Sequence, residues 1–298
     1  MSDILIRDLQ IQAEALLEAE SVPSTARRSR VVTNALKHVW LTLSALVLLL
    51  ALGFALFPSV FASGDPLVGV PADKLQAPST AHWFGTDNIG RDVFTRVVHG
   101  SGLSLTATLL AVGIALVVGS LVGLISGAVG GLVDAVLMRI VDVLLSIPTL
   151  LLSLALVTAL GFGTVNVAIA VGVTLIANFA RVMRSEVLRV RRSLYVEAAY
   201  ASGVRWFDVF RRHILRNSYG PVIALAAVEF GMAVLAVSAL SFLGFGAVPP
   251  TPEWGSLISE GRNFLATAWW MTTLPGLVIV AVVLSAHRLG HALERRSE

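Results

Sequence analysis

The sequence predicts an all-α membrane protein with six transmembrane helices. Of its 298 residues, 56% are hydrophobic and only 14% are charged, whereas a soluble domain has about 45–50% apolar and about 25% charged residues. The mean hydropathy is +0.81. Several apolar runs reach about 20 residues, the length that crosses the hydrocarbon core of a bilayer. Arginines gather beside these runs, as expected next to anionic lipid head groups.

The composition also argues against several chemistries. The chain has no cysteine, which excludes disulfides and thiolate sites. Neither of its two lysines, Lys37 and Lys74, follows a glycine, so a nucleotide-binding P-loop is excluded. His287 and His291 lie four residues apart without a third ligand, and no H-E-x-x-H or G-x-S-x-G motif occurs. We therefore expect no metal site and no catalytic activity. The net charge of +3 gives no reason to expect a nucleic-acid partner.

Apolar runs divide the chain into two tails and a membrane domain. A polar tail over residues 1–37 is predicted to precede the domain at 38–290, and residues 291–298 form a second tail. We expect no signal peptide, because the first apolar run begins late and is too long. The predicted spans cover residues 38–57, 103–126, 143–160, 165–182, 221–243 and 271–289.

The arginine distribution predicts that both termini are cytoplasmic. Arginines and Lys37 precede the first span, and basic residues mark the cytoplasmic side. From Arg181, at the end of span 4, to the start of span 5 there are nine arginines and three acids, which places that segment on the same side after four crossings. The C-terminus is also predicted to be cytoplasmic, because Arg288, Arg295 and Arg296 follow or end the last span. The outer loops are then residues 58–100 and 244–268.

Three spans carry features of their own. Glycines recur every four residues along and after span 2, which predicts close approach of another helix; they are Gly119, Gly123, Gly127 and Gly131. Asp134, Arg139 and Asp142 follow at the predicted cytoplasmic edge, and Arg139 and Asp142 are helical neighbours. Pro148 is expected to kink span 3. Glu229 lies inside span 5, and an ionisable residue there is expected to face an aqueous path, a neighbouring subunit or a cytoplasmic cavity.

A charged segment, residues 195–216, separates spans 4 and 5. Its pattern predicts a short helix, a turn at Gly203 and a second amphipathic segment. The spacing of Glu197-Ala198-Ala199, Gly203 and His213-Ile214-Leu215 resembles the EAA loop of ABC-importer permeases, although Arg216 stands where that family usually has proline. The resemblance implies that this loop docks into a groove on a cytoplasmic ATPase. From the residues alone, an amphipathic helix on the membrane surface is the alternative. The implied ATPase-coupling residues are Glu197, Ala198, Ala199, Gly203 and His213.

Two outer segments, residues 84–94 and 241–255, carry further motifs. F-G-T-D-N-I-G-R-D-V-F and S-F-L-G-F-G-A-V-P-P-T-P-E-W-G resemble signatures of the second, C-type subunit of dipeptide/oligopeptide permeases. The acids and arginines of the first segment predict a local salt-bridged turn; direct substrate contact is the alternative. The signature residues are Gly85, Thr86, Asp87, Gly90, Arg91, Asp92, Pro250, Glu253 and Trp254.

The resemblance implies a type I ABC-importer (MetI-like) permease fold in the bacterial inner membrane. A second homologous permease would complete the path. Two cytoplasmic P-loop ATPases would bind ATP and Mg²⁺, and an extracellular solute-binding protein would deliver the substrate; membrane lipids would surround the spans. Short peptides are the expected substrate, with nickel complexes, glutathione or opines as alternatives. An ion-coupled transporter using Glu229 and a scaffold whose arginine loop binds a regulator are the rival functions.

Overall fold

The structure, a computed structural model, describes the backbone of residues 24–297 and the side chains of residues 39–292. The chain divides into two units, Met1–Leu43 and Ser44–Glu298. Most of the predicted tail 1–37 therefore lies outside the described residues, apart from the helical backbone that begins at Ser24. Every site discussed below belongs to the second unit.

The described backbone is helical, and its one β feature is an isolated bridge between Thr86 and Asp92. Short 3₁₀ turns occur at Pro71–Asp73 and Arg262–Phe264, and a π-helical segment occupies Phe210–Leu215. The α-helices are α1 (Ser24–Leu56), α2 (Pro58–Phe61), α3 (Val93–Val129), α4 (Gly131–Ser146), α5 (Thr149–Leu160), α6 (Thr164–Arg191), α7 (Leu194–Ala201), α8 (Trp206–Val209), α9 (Arg216–Ser218), α10 (Gly220–Phe242), α11 (Trp254–Gly261) and α12 (Trp270–Ser297).

Within the described residues, five helical segments are long and apolar enough to cross a membrane, or six if α4 and α5 form one bent span. The predicted span over 143–160 differs from the structure. Instead of one kinked helix there are two helices, bent by 96° at Ile147 and Pro148. The physical reason is that proline disfavours helical geometry in the residue before it, and Ile147 has extended backbone angles of −97° and 130°.

Other helices extend beyond the predicted spans, because an apolar run marks only the part of a helix suited to lipid. Thus α3 and α6 continue well past 103–126 and 165–182. The predicted C-terminal tail at 291–298 is helical through Ser297, since nothing breaks α12 at Gly290. That glycine instead packs on α10, where an added Cβ would lie 2.7 Å from Val228 Cγ2.

The glycine row of α3 packs against α6 as predicted. A Cβ added to Gly119 would lie 2.6 Å from the carbonyl oxygen of Ile176, and one added to Gly123 would lie 2.3 Å from that of Ala180. Gly127 meets Val187 in the same way. Gly131 is an exception, because it opens α4 with φ +58° and no atom within 4 Å of the added Cβ. The helix ends at Val129, so the four-residue repeat no longer places Gly131 on the α3 face.

Candidate functional site

The predicted coupling segment forms an exposed helical loop between α6 and α10. Its Glu197 and Ala198 side chains face outward, and Ala199 is half-buried. Several large apolar side chains beside them are also exposed, including Leu194 at 83% and Phe207 at 63%. Trp206 stacks on Phe210 with ring centroids 5.3 Å apart. Exposed apolar area of this kind is typical of a surface that lipid or another protein covers.

Three buried side chains attach the loop to the helical body. Val196, Val209 and Ile214 are fully buried and belong to the same core as α3 and α6. His213, predicted as a coupling residue, is half-buried, and its ring centroid lies 6.0 Å from that of Tyr195. The inner face of the loop is therefore fixed by packing, while its outward face combines small, charged and large apolar residues.

Gly203 forms the turn that the sequence predicts. Its φ is +77°, a left-handed conformation that side chains with a Cβ adopt at a cost. The Gly203 amide donates to the carbonyl of Tyr200 at 3.0 Å, and the Val204 amide donates to that of Ala199 at 3.2 Å. The turn thus ends α7 and redirects the chain into α8.

The first outer signature contains the predicted salt-bridged turn. Asp87 Oδ1 accepts hydrogen bonds from the backbone amides of Ile89 and Arg91, both at 2.9 Å. Its other oxygen pairs with Arg91 Nε at 2.6 Å. Asp92 caps α3 by accepting from the Thr95 amide at 2.7 Å and lies 3.0 Å from His82 Nδ1. A carboxylate at the N-cap satisfies one of the free amides of the first helical turn.

Two residues outside the signatures extend this turn into a buried ionic network. Arg96 on α3 pairs with Asp87 at 3.0 Å and with Glu260 on α11 at 3.0 Å. Arg91 also reaches Glu260, at 2.9 Å. Burial raises the pKa of Glu260, with Arg91 acting in the opposite direction. We call Asp87, Arg91, Arg96 and Glu260 the outer network; its two acids and two arginines balance one another.

The second outer signature is held beside this network. Arg96 Nη2 lies 3.4 Å from the carbonyl of Pro250, which follows a cis peptide bond. Glu253 is buried and accepts from Ser241 Oγ at 2.8 Å and from the Ala247 amide at 2.7 Å. Trp254 is also buried, and its indole donates to the carbonyl of Val97 at 3.0 Å.

The remaining signature residues shape the same region. Thr86 Oγ1 donates to the carbonyl of Asp73 and accepts from the Gln76 amide, while its own carbonyl accepts from the Trp270 indole at 3.1 Å. Gly85 and Gly90 both have positive φ, at +70° and +85°. The structure therefore brings the two outer signatures together.

Sequence reasoning missed Arg96 and Glu260. Their partners lie 9 and 164 residues away along the chain, and neither residue belongs to a local pattern that would indicate the pairing. One usable signal was Arg96 itself, a charge at the start of a long apolar helix, because such a residue needs a partner.

Glu229 lies on α10 and is buried within the chain. Asn178 on α6 donates its amide to Glu229 Oε1 at 2.9 Å. The path-lining role of Glu229 stays a prediction. The histidines predicted not to bind metal, His287 and His291, have their Nε2 atoms 3.1 Å apart, and no group of three potential metal ligands occurs among the described residues.

Residues 119–298 match the family described as the inner membrane component of binding-protein-dependent transport systems. The match includes the coupling segment, the second outer signature and more than half of the chain. The chain belongs to this family. It is accordingly a multi-pass inner-membrane permease subunit of an ABC importer, and importers of this class work with ATPase and binding-protein partners.

Individual bacterial permeases are similar to this chain along most of their length. The probable D,D-dipeptide transport system permease of Escherichia coli K12 is 37% identical over 267 residues, covering 87% of this chain and 90% of the relative. The dipeptide transport system permease of Alkalihalophilus pseudofirmus is 39% identical over 239 residues, covering 80% and 79%. A glutathione transport system permease of Pectobacterium atrosepticum is 36% identical over 222 residues, covering 74% of each chain.

Proposed function

We propose that this permease forms half of the translocation path for short peptides. A second, homologous but different permease completes the path. Two cytoplasmic ATPases bind ATP and Mg²⁺ and supply the energy, and an extracellular solute-binding protein delivers the peptide to the outer loops. In this arrangement the chain itself is non-catalytic, and its N- and C-termini are cytoplasmic.

The observation that carries this proposal is the exposed loop at 195–216. It is attached to the body by Val196, Val209 and Ile214, while Glu197, Ala198 and neighbouring apolar side chains face outward. Small residues on an outward helical face let a partner approach closely, and the exposed aromatic side chains offer contact area. A groove on an ATPase would cover both.

The same geometry allows the loop to transmit motion. Its buried side chains belong to the core that contains α6, and the helical backbone continues from the π-helical segment into α10. When the ATPases close, the outward face moves with them, and the packed inner face tilts α6 and α10. Packed elements of this kind shift as units. Opening of the ATPases after hydrolysis restores the inward-facing state.

The relatives support a peptide as the substrate. Two of them are named for dipeptide or D,D-dipeptide transport. A third is named for glutathione, which makes this γ-linked tripeptide the second candidate. Both candidates carry a free ammonium group and free carboxylates, so the path must accommodate charges of both signs.

The ATPase-coupling test is a charge reversal at the centre of the loop, Glu197→Lys. We expect normal membrane insertion but loss of the ATPases when the complex is purified in mild detergent through a tag on the permease. Asp65→Lys, at an exposed position of the outer loop, is the control and should retain them. Unchanged ATPase binding and uptake in Glu197→Lys would contradict the coupling assignment.

The substrate test is uptake into proteoliposomes containing the complete complex and its binding protein. We expect ATP-dependent uptake of a radiolabelled dipeptide, with unlabelled dipeptide competing better than glutathione. Stronger competition by glutathione would favour the second candidate. Uptake that an uncoupler abolishes without any need for ATP would instead support an ion-coupled transporter.

A further inference from the structure

A salt bridge between α4 and α6 lies on the outside of the chain, in segments suited to the membrane. Asp142 Oδ1 and Arg181 Nη2 are 2.6 Å apart, and their side chains are 53% and 58% exposed. The sequence predicted Asp142 at the cytoplasmic edge, with Arg139 as its helical neighbour. Its observed partner is instead Arg181, ten residues before the end of α6.

The helical geometry indicates how deep this salt bridge lies. At 1.5 Å per residue, Arg181 is about 25 Å along α6 from the outer end of that helix at Thr164. Helix α5 begins just after the break at 147–148 and, with 12 residues, spans about 18 Å. Helices α5 and α6 share the turn at Gly161–Gly163, where Asn166 donates to the carbonyl of Leu160 at 3.1 Å. Both the salt bridge and the break therefore fall within a hydrocarbon core about 30 Å thick.

Lipid is a poor neighbour for this surface. Non-helical backbone at membrane depth is tolerated only where it is buried in protein or lines a water-filled cavity, and intramembrane charges follow the same rule. Yet Ser146, Ile147 and Pro148 are all exposed on the chain. Water or a protein partner must cover the break as well as the ion pair.

The polar surface continues along one face of α6 toward the cytoplasm. A groove of about 620 Å³ is lined by Arg181, Arg184, Ser185, Leu188, Arg189 and Arg192. Asn178, one turn from Arg181 toward the start of α6, donates a hydrogen bond to Glu229. Five of the six groove residues are polar, and they recur at helical spacing, so this face of α6 is hydrophilic from Arg181 to the cytoplasmic end of the helix. A continuous hydrophilic face suits an aqueous passage better than a packed interface.

The charged side chains within the groove are not equally available to bind a solute. Arg184 is bound to Asp134 at 2.5 and 2.6 Å, and that pair is more buried than the one at Asp142. Arg189 bonds to Glu186 on its own helix. Asp142 and Arg181 present one acid and one base side by side, with more than half of each side chain exposed. Such a pair can exchange partners with the ammonium and carboxylate groups of a peptide.

We infer that one exposed surface of the chain borders the aqueous translocation path. This surface consists of the exposed face of α4, the break at 147–148 and the cytoplasmic half of α6. Within the path, Asp142 and Arg181 contact the charged ends of the peptide. This inference rests on the proposed function for the identity of the solute. Exposure of the face to water can be measured without any solute, so the two can fail separately.

The first experiment uses the absence of cysteine from the chain. Ser146→Cys and Ser185→Cys are introduced singly into the complete complex, with the other subunits made cysteine-free, and are treated in nanodiscs with a charged methanethiosulfonate reagent. We expect both to react at least roughly tenfold faster than Leu109→Cys, an exposed apolar position of α3, because thiolates form in water and not in lipid. Unreactive cysteines, or cysteines that cross-link to the second permease, would overturn the inference even in a complex that transports peptide.

The second experiment tests the charged contacts. Asp142→Asn and Arg181→Gln should each lower ATP-driven dipeptide uptake roughly tenfold or more, because each removes a charge-assisted contact. ATPase association should be unchanged. Arg262→Gln, an exposed arginine after α11, is the control and should transport normally. Full uptake by both path variants would contradict the contact role. Reactive cysteines in the two serine variants, together with a wild-type complex that moves no peptide, would instead reject the proposed substrate.

Discussion

The outer network and the coupling loop use charged residues in opposite ways. In the outer network, Arg96 is 1% exposed and shared between Asp87 and Glu260. In the loop, Glu197 is exposed, while the aromatic residues around it are left uncovered. Charges inside the protein thus fix two outer segments to each other, whereas charges and apolar groups on the loop surface are available to a partner. Burial, more than residue type, separates the structural site from the proposed ATPase-binding surface.

This difference predicts that the two regions respond differently to substitution. A change in the outer network leaves buried groups without partners and destabilises the fold. A change on the outward face of the loop affects stability little, because water already surrounds the side chain. The same variants therefore separate stability from ATPase association.

The largest effect is expected for Arg96→Met. Asp87 and Glu260 would then share Arg91 alone, and removing one member of a buried ionic group costs about 3–5 kcal/mol. We expect the unfolding free energy of the permease in detergent to fall by this amount. Arg262→Met, at an exposed position, should stay within about 0.5 kcal/mol of the wild type.

A double variant sharpens this prediction. Glu260→Gln removes the matching negative charge, so Arg96→Met combined with Glu260→Gln should cost less than the sum of the two single changes. Additive losses would show that the two residues do not interact as the structure indicates.

A smaller loss is expected for Glu253→Gln. Both carboxylate oxygens accept hydrogen bonds, from Ser241 and from the Ala247 amide. The glutamine side chain has only one acceptor oxygen, so its NH₂ group, a donor, must face either Ser241 or the Ala247 amide. We expect this mismatch to lower the free energy of unfolding by about 1–3 kcal/mol. Thermal unfolding followed by tryptophan fluorescence measures this loss. Equal stability of the two proteins would mean that the amide is accommodated, with the Ser241 hydroxyl accepting from it instead of donating.

Gly203→Ala should cost about 1 kcal/mol through the backbone alone. An added Cβ meets no atom within 4 Å, but φ is +77°. Gly113→Ala is the matched control, because its Cβ also meets nothing and it lies in the middle of α3. That substitution should be neutral or stabilising, since alanine favours helix more than glycine does. Equal losses in both variants would argue against left-handed strain at Gly203.

The smallest stability change is expected for Phe207→Ala, within about 0.5 kcal/mol of the wild type, because the side chain is 63% exposed. ATPase association should nevertheless weaken, which titration of the purified ATPases onto the permease in nanodiscs measures. Leu265→Ala, an exposed apolar change in the outer loop, should leave association unchanged. A marked loss of stability in Phe207→Ala would show that the loop surface is packed within the chain.

Sequence patterns predicted the parts of this protein that depend on local chemistry. The turn at Gly203, the Asp87–Arg91 salt bridge and the α3 glycines that meet α6 each involve residues close in sequence or periodic along one helix. The break at 147–148 was only partly predictable. Pro148 indicated a kink, but the 96° angle depends on how α4 and α5 pack separately against α6.

The sequence by itself determined the membrane class, the family and the position of the exposed loop, because apolar runs, arginine placement and motif spacing are properties of neighbouring residues. Only the tertiary structure decided that Arg96 joins Glu260, that Asn178 holds Glu229 and that Asp142 pairs with Arg181. These partners are 164, 51 and 39 residues apart. The energy of such pairs depends on distance and burial in space, which the order of residues along the chain does not specify.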